Sequence, residues 1–72
     1  MRPMKRFEYH VVGMTCEHCE RRVAGELGAI DGVVSVTADA ATGLVVVNAP
    51  SRPDPAAVAG AVDEAGYELA GA

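Results

Sequence analysis

What most constrains this chain is that its hydrophobic period switches back and forth between two and about 3.6 within only 72 residues. From Arg6 to Val12 the residues alternate, with Phe7, Tyr9 and Val11 on one side and Glu8 and His10 on the other, which predicts a half-buried strand. Gly13 to Thr15 breaks the alternation. From Cys16 to Ala29 the apolar residues Cys19, Val23 and Leu27 recur at helical spacing and Ile30 extends the row, so an amphipathic helix is predicted there. Glu17 and Arg21 add a favourable i, i+4 pair on its solvent face.

Asp31-Gly32 reads as a turn, followed by a second strand over Val33 to Ala38 with Val34, Val36 and Ala38 on one face. Ala40 to Gly43 turns the chain into a third strand, Leu44 to Ala49, and so short a loop predicts an antiparallel hairpin. After the breaker-rich Pro50 to Pro53, Asp54 is an N-cap and Pro55 a first helical residue. Val58, Ala61, Val62 and Ala65 form the apolar stripe of a second helix, Gly66 caps it, and Tyr67 to Ala70 supplies a short fourth strand. The order βαββαβ predicts an α+β fold, the ferredoxin-like sandwich, with a four-stranded antiparallel sheet and two helices on one face. The length allows one domain over residues 1–72, with its core at about 6–70.

Composition removes several functions. With one Phe, two Tyr and no Trp, the chain has no aromatic platform for stacking bases. A formal net charge of −4, with Lys and Arg scattered singly or in pairs, does not make the clustered basic face that nucleic acid requires. No apolar run approaches the roughly 20 residues of a membrane span, and the basic opening Met1 to Arg6 is followed by no apolar signal core. A cytoplasmic protein is expected, with Met1 and the small Gly71-Ala72 as the ends of a complete chain.

The only cysteines, Cys16 and Cys19, stand where the strand pattern gives way to the helix pattern. At i and i+3 on one helix face both sulfurs reach a common ion. At a helix N-terminus the unpaired N–H groups and the dipole favour thiolate. Thiolates are soft ligands, and a lone pair of them suits Cu(I) better than zinc, whose structural sites take four ligands. In a reducing compartment such a pair is a metal or redox site rather than a structural disulfide.

The run Gly13-Met14-Thr15-Cys16-Glu17-His18-Cys19, with Asp31-Gly32-Val33 after the first helix and Ala65-Gly66-Tyr67 after the second, resembles the heavy-metal-associated domain of copper chaperones and copper-transporting P-type ATPases, over about Phe7 to Leu69. The resemblance implies a non-enzymatic copper chaperone. Cys16 and Cys19 would be the metal ligands, Met14 a buried residue beneath the loop, and Tyr67 a neighbour of the metal. Thr15 before the first cysteine, where zinc and cadmium relatives often carry an acid, leans the implied cargo toward Cu(I), although mercury-binding relatives share the same run. The partner implied is the soluble domain of a copper-transporting ATPase, and a copper-bridged homodimer is a further expectation. His18 either tunes a cysteine or adds a third ligand when two chains share an ion. The competing readings are a metal-binding domain excised from a transporter, a mercury-binding relative, and a thiol oxidoreductase. Against the last, thioredoxin-like proteins usually carry an aromatic before the first cysteine, where this chain has Thr15.

Overall fold

The computed structural model of the protein describes residues 4–70. Met1 and Gly71-Ala72, on which the expectation about the chain ends rested, lie outside them. Six elements follow in order: β1 (Lys5–Val12), α1 (Glu17–Gly28), β2 (Ser35–Ala38), β3 (Leu44–Ala49), α2 (Pro55–Glu64) and β4 (Glu68–Ala70). They make one antiparallel sheet in the order β2-β3-β1-β4. The chain has the ferredoxin-like architecture expected of its pattern.

Alternation along β1 and β3 turns Phe7, Tyr9 and Val11, and Val45, Val47 and Ala49, toward the helices. Val23 and Leu27 of α1 and Val58 and Val62 of α2 close over them, and each is at most 1% exposed. This core is built of small aliphatic side chains, so its stability rests on many modest burials of about 1.5–3 kcal/mol each. Val34 departs from its expected face: it is 63% exposed while Val36 and Ala38 turn inward. The cause lies in the backbone. Val34 N–H donates to Asn48 O at 2.9 Å although Ser35 is the registered partner of Asn48, so two residues oppose one and the side-chain phase is reset.

The ends of α2 follow from local chemistry. The Asp54 carboxylate accepts from Ala56 N–H at 3.0 Å, and Pro55 begins the helix. At the other end Gly66 N–H donates to Asp63 O at 2.9 Å and Tyr67 N–H to Val62 O at 3.1 Å, the paired bonds of a Schellman cap. That cap needs a left-handed residue, and Gly66 supplies it with φ 93°. Tyr67 therefore belongs to the helix stop, and β4 begins one residue later than the pattern suggested.

Candidate metal centre

β1 ends at Val12, and the loop Gly13–Thr15 carries the chain to Cys16, the N-cap of α1, in extended conformation (φ −156°, ψ 172°). Its thiol makes no capping bond, so the sulfur is uncommitted to the helix. Cys19 is the third helical residue and only 9% exposed, whereas Cys16 is exposed. Both are free, and their sulfurs lie 3.3 Å apart. One thiol is thus held by the core and one faces solvent.

The surroundings of Cys19 favour its thiolate. Its pKa falls from an ordinary 9.0 to about 6, chiefly through a backbone hydrogen bond from Thr15, then through the Tyr67 hydroxyl and the Cys16 thiol, with burial opposing. The Thr15 hydroxyl also lies 3.9 Å from the Cys19 sulfur. Reciprocally, the bond to Cys19 pushes the Tyr67 phenol above its ordinary value, with desolvation adding to the rise. A hydrogen bond to the charged form stabilises it.

Tyr67 reaches this position from the other end of the chain because the Schellman cap of α2 aims it over Gly13. A Cβ on Gly13 would stand 3.2 Å from the Tyr67 ring, and Gly13 has φ 104°, so a side chain there would both strain the loop and press on the ring. Met14 is 7% exposed and packs in the same core cluster as Cys19.

The structure thus brings Cys16, Cys19 and Tyr67 together above Met14. His18 is exposed at the second helical position, and it is not among the groups that lower the Cys19 pKa. Among the described residues no group of three His, Cys, Asp or Glu forms a metal cluster, and the two sulfurs are the soft donors that lie together here. His10 is exposed on β1. Two contributors were not singled out as second-sphere groups from the sequence: the backbone and hydroxyl of Thr15, and the close approach at Gly13. A hydroxyl four residues before a cysteine at a helix start is a usable signal for the first, but the second depends on the arrival of Tyr67.

A family model described as the heavy-metal-associated domain matches residues 8–68. Copper-transporting ATPase 1 of Rhizobium meliloti (strain 1021) is 39% identical over 61 residues, covering 85% of this chain and 7% of that protein. Copper-transporting ATPase 2 of the same organism is 39% identical over 59 residues. The chain therefore spans about 7% of the length of the curated relatives it matches. Among solved structures, a CopZ metallochaperone superposes with TM-score 0.76 at 28% identity, covering 92% of this chain and 100% of that one. The N-terminal domain of a potential copper-translocating P-type ATPase from Bacillus subtilis, in the Cu(I)-loaded state, superposes with TM-score 0.78 at 31% identity, covering 93% of this chain and 85% of that one.

Proposed function

The chain belongs to the heavy-metal-associated domain family, and from that membership we propose that it carries one Cu(I) on Cys16 and Cys19 and passes it to the cysteine pair of a copper-transporting ATPase in the cytoplasm. The observation that supports this most is the unequal thiol pair, 3.3 Å apart, with Cys19 anchored and Cys16 exposed. An exposed first ligand lets an incoming thiolate attack the ion while the anchored second ligand still holds it. A three-coordinate bridge forms, the original ligands leave in turn, and no free ion is released. Copper keeps its oxidation state throughout, because thiolate merely replaces thiolate.

Two soft ligands without a hard oxygen suit Cu(I) over Zn(II) or Mg(II). His18, exposed one residue before Cys19, is the candidate for a further ligand when a second molecule shares the ion. Identity to copper-transporting ATPases supports a second reading, in which the same domain serves as the metal-binding part of a transporter. The likeness to a CopZ metallochaperone supports the free carrier. The chemistry at Cys16 and Cys19 is the same in both.

Anaerobic titration with Cu(I) against a competing chelator tests the assignment. One equivalent should bind, and Cys16→Ser or Cys19→Ser should lower the affinity by more than the roughly 10–100-fold that loss of an outer-shell partner costs, while the circular dichroism spectrum stays that of the parent. Undiminished affinity in the double variant would sink the site. Copper-dependent transfer to a separate ATPase domain, measured for the intact protein in its natural length, distinguishes carrier from transporter domain.

A further inference from the structure

One turn of chain holds both ends of the loop that presents Cys16. On the entry side, Val11 N–H donates to Gly43 O at 2.8 Å, just before β1 gives way to the loop at Gly13. The approach is so close that a Cβ on Gly43 would stand 2.9 Å from Val11 O, and strand and turn meet main chain to main chain. On the exit side the link is a side chain. Glu20 follows Cys19 on α1 and is half-buried, and its Oε2 accepts from Ala40 N–H at 2.6 Å. The Glu20 N–H in turn donates to Cys16 O at 3.2 Å, the bond that opens the helix. Between these two anchors the turn 39–43 is closed on itself. Gly43 N–H donates to Asp39 O at 2.8 Å, Ala41 N–H to Asp39 Oδ1 at 2.9 Å, and Asp39 N–H to Leu44 O at 2.9 Å.

We propose that Glu20 is a positioning residue for the thiol pair: its carboxylate fixes the first turn of α1 against the turn 39–43, and so fixes Cys19, on the helix, relative to Cys16, at the end of the loop. The inference rests on the copper-binding reading of Cys16 and Cys19 and adds to it a residue that acts through the backbone rather than as a ligand. Apolar burial cannot do this work alone. Cys19 and Val23 hold α1 against the core, but the hydrophobic effect is non-directional, so it sets how deep the helix lies and leaves it free to slide. A hydrogen bond is directional, and one accepted by a carboxylate is roughly twice as strong as a neutral one. Bonded to Ala40, the helix start and the loop entry share one rigid support. Ordering two ligands at the moment of binding costs free energy, and a chain that holds both in place beforehand avoids that cost.

The full-length, reduced protein tests this with two probes. Cu(I) titrated against a competing chelator reads the copper site. Phenylarsenoxide, which joins two thiols with loss of water, reads the placing of the sulfurs without copper. In Glu20→Ala the Ala40 amide should exchange faster, and the affinity for both probes should fall roughly tenfold, the lower end of what removal of a group behind a metal ligand costs, with the parent's circular dichroism spectrum. Alanine is a better helix former than glutamate, so such a loss does not come from a weaker helix. Glu20→Gln keeps the acceptor and drops the charge, and should recover most of the affinity. Ala40→Pro removes the donor and leaves Glu20 in place. It should match Glu20→Ala, and the two together should fall no further, because they delete one bond. Affinities unchanged in Glu20→Ala, a Glu20→Gln that behaves as Glu20→Ala does, or additive effects of the two substitutions would overturn the proposal. A parent that takes the arsenical but no Cu(I) would sink the copper assignment instead, and the arsenical series would still decide the role of Glu20.

Discussion

Cys19 sets the pH behaviour of the site. Its pKa is lowered from 9.0 to about 6 in the folded chain, so the folded state binds fewer protons at this sulfur than the unfolded state between those values. A depressed pKa contributes stability that is complete above the unfolded value and is lost as pH falls through the folded one. The metal-free protein should therefore gain stability as pH rises from about 6 toward 9, and chemical denaturation at several pH values reads this directly. Cys19 should alkylate with a midpoint near pH 6. In Tyr67→Phe, which removes a hydroxyl donor, that midpoint should move up; an unmoved profile would show that the phenol does not act on the sulfur. His18→Ala should leave the same profile in place, because the groups that lower it are Thr15, Tyr67 and Cys16. A shifted midpoint in that variant would assign the imidazole a tuning role.

At the scale of the elements, caps decide where each helix starts and stops, and caps are written in short stretches of chain. Asp54-Pro55 and Gly66 bound α2 as their chemistry requires. Asp54→Ala removes the bond to Ala56 N–H and should cost about 1 kcal/mol of unfolding free energy, read as a lower urea midpoint with an unchanged slope; copper affinity should persist, because α2 begins at the end of the molecule away from the cysteines. α1 begins one residue later than its period indicated, since Cys16 serves as the cap and Glu17 is the first helical residue. Less legible were contacts that cross between elements. Glu20 of α1 accepts from Ala40 N–H at 2.6 Å, tying the helix that carries Cys19 to the β2–β3 turn. Nothing in the spacing of residues 20 and 40 announces that bond, because it depends on how the helix lies across the sheet.

Over the whole molecule, charge beside the proposed site bears on how a partner would be met. Glu17 and Arg21 form an exposed pair at 2.7 Å on α1, one or two residues from Cys16 and Cys19. Exposed pairs of this kind contribute little to stability but shape the field that a docking partner meets. Arg21→Glu should slow copper transfer to a cognate ATPase domain severalfold at low salt, with the gap closing as ionic strength rises, and should leave copper affinity nearly unchanged. Stopped-flow transfer at two salt concentrations checks this, and a rate indifferent to both changes would place the docking face elsewhere.

By itself the sequence determined the order of strands and helices, the inward residues of β1 and both helices, and the placement of two cysteines at a helix start. These depend on interactions within a few residues, where period, capping and turn chemistry act. Only the tertiary structure decided that Tyr67 lies over Gly13 and against Cys19, and that Val34 faces solvent. Each of these turns on strand register or on how α2 packs, and both are set by the simultaneous burial of side chains far apart in the chain.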